Sequence, residues 1–177
     1  LSTKYSLSPI SSQFRFGRMR PMSLPSVKLA QLAALWHHSP NLVVDVLELP
    51  ELETIKKKLK FETSDYWKTH YSLYKESVSV SKELSNTAIQ LLLLNAIIPF
   101  SFFYQKFKQN GNTEVALNYL TELESEKNSI ILEWKKLGVK VEDAYSSQGV
   151  LHLYKYYCSK KMCLSCNIGR KILLKPI

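Results

Sequence analysis

A helical period of apolar residues runs from Asn86 to Tyr104 and limits the folds that this chain can adopt. Asn86 is of a residue type that caps helices, and Pro99 is expected to kink the helix. Polar residues and proline interrupt the apolar run, which is shorter than the roughly 20 residues of a bilayer-spanning helix. We therefore predict a buried central helix and no membrane segment. Its apolar face comprises Ile89, Leu92, Leu93, Ala96, Ile97, Phe100 and Tyr104.

The rest of the chain is also predicted to form helices that short loops connect. Only 5 glycines occur in 177 residues, too few for the tight corners of a β sandwich. We predict an all-α fold, with an extended basic arm over residues 1–23 and a single multi-helix domain over residues 24–177 that ends in a short cysteine-containing tail. Further helices are predicted from Pro25, Asn41, Pro50, Thr113, about Glu126 and about Ser147, with a stop at Gly138. The spacing of Trp67, Tyr71 and Tyr74 indicates another helical face within residues 61–83.

Basic residues are concentrated at the two ends of the chain. Residues 1–28 hold five basic side chains and residues 144–177 hold six, and neither segment contains an acid. The region between them is nearly balanced, so the ends account for the net charge of +9. The two ends either converge into one anion-binding face or stay apart as soluble tails, and the sequence leaves both readings open.

The N-terminal arm interleaves arginines with aromatic residues, as proteins that bind single-stranded nucleic acid do. The alternative is an arm held on the helical body by Phe14, Phe16 and Met19, with its arginines paired to Asp45 or Glu48. The candidate nucleic-acid contacts are Arg15, Arg18, Arg20, Lys160, Lys161, Arg170 and Lys171.

Three cysteines form a cluster, Cys158-x4-Cys163-x2-Cys166, within residues 158–170. A Cys-x2-Cys step lets two thiolates reach one metal ion, so we predict a structural zinc site with these three ligands. The fourth ligand is open, and His37 and His38 are the candidates. An iron–sulfur cluster, which normally needs a fourth thiolate, is one alternative. Three reduced thiols packed without a metal are the other.

No segment carries a recognisable catalytic motif. Glu133 and Lys135 have the acid-x-Lys spacing of metal-dependent nucleases, but they lie in a helical period rather than on a strand. Glu122, Glu124 and Glu126 read as surface groups at a helix end. We therefore expect no catalytic residue in this segment.

Several short motifs along the chain occur together in a pattern typical of one family. The motifs are Arg18-Met19-Arg20-Pro21, Leu24-Pro25, Leu29-Ala30-Gln31-Leu32-Ala33, Leu93-Leu94-Asn95, Ile98-Pro99-Phe100, Glu126-Lys127-Asn128-Ser129-Ile130-Ile131, Ser147-Gln148, Tyr157-Cys158, Cys163-Leu164-Ser165-Cys166 and Ile168-Gly169. With these motifs the chain resembles domain-of-unknown-function family 2851, a bacterial family with no assigned activity. The resemblance implies that the chain is the C-terminal half of a longer protein, in which the three cysteines share a role. By analogy of fold alone, the absent N-terminal half would contain nuclease-like catalytic residues.

These observations favour a non-catalytic helical accessory domain that binds nucleic acid, or the missing half of the same protein, through a basic face. One alternative is the C-terminal part of a nuclease-like hydrolase, and another is a protein-interaction scaffold with Trp67 and Tyr71 in an exposed patch. The start of the chain lacks the apolar core of a secretory signal, so we expect a cytoplasmic protein. The initial Leu1 indicates a fragment or a processed product.

Overall fold

The protein is described by a computed structural model that covers residues 3–8, 14, 17–48, 51–108 and 113–174. The all-α class is confirmed, because in these ranges the strands form only a two-stranded hairpin. The chain divides into two compact units, the first made of Leu1–Leu42 and Lys57–Ser85 and the second of Val43–Lys56 and Asn86–Ile177.

In the first unit, helix α1 (Pro25–His38) follows a 3-10 turn at Pro21–Ser23. Proline at the first helical position suits the start, and Ser39, which precedes Pro40, ends the helix as predicted. Gln31 of α1 is buried, and its Nε2 donates a 2.8 Å hydrogen bond to the carbonyl of Lys82. This bond ties α1 to a segment 51 residues further along the chain. The next helices are α2 (Leu42–Leu47) and α3 (Leu52–Lys58).

A short helix and a hairpin occupy the region after Phe61. Helix α4 (Asp65–Lys68) lasts one turn, and strand β1 (His70–Ser72) then pairs antiparallel with β2 (Lys75–Glu76). The Tyr66 hydroxyl donates a 2.7 Å hydrogen bond to the Leu73 carbonyl and so holds the turn of the hairpin against α4. The predicted helical face is therefore wrong, because Trp67 lies in α4, Tyr71 in β1 and Tyr74 in the turn, so the three residues share no helix.

One long helix dominates the second unit. It consists of α5 (Asn86–Leu92), a wide π-helical turn (Leu93–Ile97) and α6 (Ile98–Lys108). Pro99 lies in the first turn of α6, two residues after the wide turn, and has no N–H to donate to the helical ladder. The kink at Pro99 stays a prediction.

The same helix is buried on one side only, which corrects the prediction of a buried central helix. Leu93 and Ile98 lie in the core, whereas Leu91, Phe103 and Phe107 are exposed. By length and composition alone, the 23 residues Asn86–Lys108 are sufficient to cross a membrane, and about a third of their apolar window is buried inside the protein.

The second unit continues with helices that have well-defined ends. Asn128 accepts a 3.0 Å hydrogen bond from the Ile131 N–H, and Asp143 forms a capping box with Ser146. Gly138 follows helix α8 (Ser129–Lys136) with a φ of +83°, as its predicted stop requires. The elements are α7 (Glu114–Glu122), α8 (Ser129–Lys136), α9 (Ala144–Leu153), a π-helical turn (Tyr154–Cys158), a 3-10 turn (Cys163–Ser165) and α10 (Asn167–Leu173).

The loop between α7 and α8 fixes the start of α9. The Ala144 N–H donates a 2.8 Å hydrogen bond to the Leu123 carbonyl. Both Ser147 and Gln148 of α9 hold Glu126, since the Ser147 hydroxyl accepts from the Glu126 N–H and Gln148 Nε2 donates to the Glu126 carboxylate at 3.1 Å. These bonds position the helix that leads to the C-terminal basic segment.

Candidate nucleic-acid interface

The C-terminal end of α9 exposes a run of aromatic and basic side chains. After Leu153 the backbone widens into the π-helical turn, in which the Ser159 N–H donates to the Tyr154 carbonyl at 2.9 Å. His152 and Tyr156 then meet with their ring centroids 4.5 Å apart and their planes tilted by 39°. Both rings lie at the surface, and Tyr156 keeps 44% of its area in solvent.

Two ammonium groups flank the Tyr156 ring. The Nζ of Lys155 lies 5.4 Å from the ring centroid and that of Lys160 lies 5.6 Å from it, within the range of a cation–π contact. Lys161 follows in a left-handed backbone conformation with a φ of +55°, and its N–H donates to the Cys158 carbonyl at 3.0 Å. We call His152, Lys155, Tyr156, Lys160 and Lys161 together the Tyr156 patch.

The charge around the Tyr156 patch is uncompensated. No acid occurs after Asp143, and the five described cations after this residue are all exposed and form no ion pair with a described residue. Elsewhere in the second unit, lysines do have acidic partners, such as Lys136 with Glu133 at 2.7 Å. The 3-10 turn packs against both the π-helical turn and α10, so the cations of α10 belong to the same packed segment as the Tyr156 patch. The five cations are Lys155, Lys160, Lys161, Arg170 and Lys171.

The N-terminal arm presents its arginines differently. Arg18 and Arg20 are exposed and have no ion-pair partner among the described residues, whereas Arg15 and Phe16 lie outside the described ranges. Phe14 and Met19 are 50% and 44% exposed, so neither anchors the arm in a core. The arm belongs to the first unit and the Tyr156 patch to the second.

The three cysteines are free thiols with different environments. Cys158 and Cys163 are exposed, whereas Cys166, directly before α10, is buried. Partial burial, and then the neighbouring thiols of Cys166 and Cys163, raise the pKa of Cys158. The Cys158 thiol is therefore protonated at neutral pH. A Cβ on Gly169 would lie 2.4 Å from the Cys163 carbonyl oxygen, so only glycine fits against this turn.

The predicted metal ligands are not assembled into a site. Throughout the described ranges, no group of three or more His, Cys, Asp or Glu side chains is placed to hold a metal ion. His37 and His38, the candidate fourth ligands, are exposed at the end of α1 in the first unit. Structural zinc stays a prediction, as do its iron–sulfur and metal-free alternatives.

The acids considered for catalysis lie in helix-surface contacts. Glu133 pairs with Lys136 on α8, and the Nζ of Lys135 donates a 3.1 Å hydrogen bond to the Ser125 hydroxyl. Glu124 pairs with Lys127 at 3.6 Å in solvent. Glu122 and Glu124 are exposed, in agreement with their interpretation as surface groups, whereas Glu126 is half-buried and hydrogen-bonded to α9.

Comparison with known families gives one match. The model of the family described as "Protein of unknown function (DUF2851)" matches residues 1–129. The chain belongs to the DUF2851 family. No curated protein and no solved structure matches it.

The DUF2851 match lies over the N-terminal part of the chain. It includes the arm and the helices up to α7, and it ends before α9, the Tyr156 patch and the cysteine cluster. The expectation that the family likeness continues through Cys158, Cys163 and Cys166 thus has no support from the match. Nor does the match place the chain in the C-terminal half of a longer protein.

Sequence reasoning missed part of the candidate interface. His152, Lys155 and Tyr156 are not among the predicted contacts. The sequence signal for them is the run Tyr154-Lys155-Tyr156-Tyr157 inside an acid-free segment. His152 and Tyr156 are four residues apart, the spacing at which side chains meet on one helical face.

Proposed function

We propose that this DUF2851 protein is a non-catalytic accessory domain that binds single-stranded nucleic acid through the Tyr156 patch and α10. The observation that carries the proposal is an exposed aromatic ring with two ammonium groups near it, in a segment whose described cations form no ion pair with a described acid. Nucleic acid binds such surfaces because its phosphates release counterions to lysine and arginine, while its bases stack on aromatic rings.

The residues of the interface have separate roles in this proposal. Tyr156 provides the stacking surface, with His152 supporting one side of its ring. The ammonium groups of Lys155 and Lys160 lie 5.4 and 5.6 Å from the ring centroid, close enough to reach the phosphates that flank a stacked base. Lys161, Arg170 and Lys171 extend the positive surface along the 3-10 turn and α10.

Salt dependence tests the electrostatic part of the proposal. The affinity of the full chain for a fluorescent single strand of about 16 nucleotides is measured by anisotropy between roughly 50 and 200 mM salt. Each lost phosphate contact lowers the slope of log affinity against log salt by about 0.7, so removal of four cations lowers it by up to about 3. The variant combines Lys160→Gln, Lys161→Gln, Arg170→Gln and Lys171→Gln.

A matched control loses the same charge elsewhere in the second unit. It combines Lys56→Gln, Lys127→Gln, Lys136→Gln and Lys140→Gln, and we expect its slope to stay near that of the unmodified chain. An equal fall of this slope in both variants would contradict a localised interface. Absence of binding at low salt would refute the proposal, and cleavage of the strand would instead support the nuclease-like alternative.

Replacement of aromatic residues tests the stacking part. Tyr156→Leu should weaken binding by about 1–3 kcal/mol, the usual value for one stacked base. Tyr145→Leu is the control, because Tyr145 is also an exposed tyrosine of α9, near its opposite end. If both substitutions have the same effect, Tyr156 is not the stacking residue.

A further inference from the structure

Two of the three cysteines lie at the ends of one 3-10 turn. The turn Cys163–Ser165 is closed by the Cys166 N–H, which donates a 3.2 Å hydrogen bond to the Cys163 carbonyl. Side chains three residues apart in a 3-10 turn lie above one another, and the α-carbons that such a bond brings together are less than about 7 Å apart. Disulfides span α-carbon separations of about 4.4–6.8 Å. The backbone therefore holds Cys163 and Cys166 near the separation that a disulfide needs.

Contacts with α10 fix this turn. The Arg170 N–H donates a 2.8 Å hydrogen bond to the Cys166 carbonyl. Gly169 lies directly against the backbone of Cys163, at a position where the Cβ of any other residue would overlap the Cys163 carbonyl. A bond between the two sulfur atoms therefore requires rotation of the side chains and leaves the backbone of the turn in place.

The two thiols differ in accessibility. Cys163 is exposed, whereas Cys166 keeps only 8% of its area in solvent. Thiol–disulfide exchange starts at a thiol that an external disulfide can reach, and a neighbouring thiol then displaces the external group. The difference in exposure assigns the first step to Cys163 and the second step to Cys166.

The charge of the surrounding segment selects the class of oxidant. Residues 144–177 contain no acid, and four exposed cations lie in the π-helical turn's C-terminal flank and α10. Glutathione disulfide is a small anionic disulfide at neutral pH, so this positive field raises its concentration near the turn, whereas a neutral disulfide gains no such attraction. The four cations are Lys160, Lys161, Arg170 and Lys171.

We propose that Cys163 and Cys166 form a thiol–disulfide pair that anionic low-molecular-weight disulfides oxidise. The Cys163 thiolate attacks one sulfur of glutathione disulfide, forms a mixed disulfide and releases one glutathione thiolate. The Cys166 thiolate then attacks the Cys163 sulfur, forms the internal disulfide and releases the second glutathione thiolate. The two glutathione thiolates take up the two protons that the cysteines lose, so the protein is oxidised and glutathione disulfide is reduced. This inference does not depend on the proposed nucleic-acid binding.

Equilibration of the full chain in glutathione buffers tests the pair. The reduced chain, treated with a chelator, is incubated at a series of ratios of reduced to oxidised glutathione, quenched with acid, alkylated and digested with trypsin. Cleavage after Lys161 and Arg170 places Cys163 and Cys166 in one peptide and Cys158 in another. Mass spectrometry should show a disulfide within the first peptide and a free thiol at Cys158, and dithiothreitol should reverse the oxidation.

Two variants test the order of the steps. Cys166→Ser should accumulate glutathione on Cys163, because no second thiol is left to displace it. Cys158→Ser is the matched control and should form the same disulfide as the unmodified chain. A disulfide that includes Cys158, or no disulfide in a chain that circular dichroism shows to be folded, would overturn the proposal. Zinc retained by the purified, untreated chain, with all three thiols protected, would overturn it in favour of metal binding.

Two comparisons separate the structure from the spacing of the cysteines alone. The equilibrium constant for disulfide formation should be larger by about tenfold in the folded chain than in concentrated urea, since the unfolded chain must first order the turn. Equal constants would overturn the proposal. The rate of oxidation by glutathione disulfide, relative to that by neutral 2-hydroxyethyl disulfide, should fall several-fold in the variant that replaces Lys160, Lys161, Arg170 and Lys171 by Gln. An unchanged ratio would overturn the selection of an anionic oxidant.

Discussion

The cap of α9 controls the helix that presents the Tyr156 patch, and its removal has a predictable cost. The Asp143 carboxylate accepts hydrogen bonds from the Ser146 N–H at 2.7 Å and from the Ser146 hydroxyl at 2.6 Å. Asp143→Ala removes both bonds, but the backbone bond from Ala144 to Leu123 remains. We therefore expect a loss of about 1 kcal/mol in the free energy of unfolding, the usual cost of an aspartate cap.

Urea denaturation followed by circular dichroism measures this loss. With a slope of about 2 kcal/mol per molar urea, the midpoint should fall by roughly 0.5 M. Asp143→Asn keeps an acceptor at the cap and should lose only a few tenths of a kcal/mol. Equal midpoints for Asp143→Ala and the unmodified chain would refute the assignment of the cap.

The pH dependence of this cap has a defined sign. The side-chain and backbone hydrogen bonds from Ser146 lower the pKa of Asp143 below its ordinary value of 3.8. Because the folded-state pKa is lowered, the stabilisation is complete above pH 3.8 and is lost as the pH falls through the folded-state pKa. The difference in the free energy of unfolding between the unmodified chain and Asp143→Ala should shrink as the pH falls over the same range. A difference that stays constant into strong acid would contradict this account.

Three further predictions follow from buried or reactive side chains. Gln105 is fully buried, and its amide has no hydrogen-bond partner among the described residues. Gln105→Met should therefore raise the urea midpoint, with a gain of about 1–3 kcal/mol in the free energy of unfolding. A lower midpoint would show that the amide has a partner. Under native conditions a thiol reagent should label exposed Cys163 and spare buried Cys166, with Cys158 slowed by its raised pKa. Zinc would instead be supported if the reagent labels none of the three thiols of the unmodified chain. In that case the purified chain should also retain metal that a triple Cys→Ser variant loses. Burial lowers the pKa of Lys82 below its ordinary value of 10.5. Between the lowered pKa and 10.5 the unfolded chain binds more protons than the folded chain, so the free energy of unfolding should rise with pH over this range. Lys82→Met should abolish this rise.

Local chemistry in the sequence was enough to predict many of the helices. Pro25 and Pro40 set the bounds of α1, and Gly138 ends α8. These signals act within a few residues of their own position, and therefore a single sequence reveals them.

Contacts between distant segments could not be predicted. The hairpin after α4 forms by pairing of β1 with β2, although the spacing of Trp67, Tyr71 and Tyr74 favours a helix. Lys82 is buried because its ammonium donates to the carbonyls of Lys68 and Val80 and lies 3.9 Å from the centroid of the Tyr71 ring. No periodicity reports such a site, since a lysine is ordinarily exposed.

The candidate interface was predictable in charge but not in geometry. The acid-free C-terminal segment indicated Lys160, Lys161, Arg170 and Lys171, and the structure places these cations on one exposed local body. The exposure of the Tyr156 ring and the position of two ammonium groups near it depend on side-chain placement, which residue spacing does not give. The exposure of Phe103 and Phe107 on the long helix was likewise hidden, because the apolar period of the helix predicts burial without showing which face lacks a partner.

Lysine footprinting tests the proposed interface most directly. The full chain is acetylated with and without a single-stranded oligonucleotide, and mass spectrometry measures the modification of each lysine. We predict protection of Lys155, Lys160, Lys161 and Lys171, with Lys127 and Lys136 modified equally in both samples. Protection confined to Lys4 and Lys28 near the N-terminal arm, or the same small change at every lysine, would contradict binding at the Tyr156 patch.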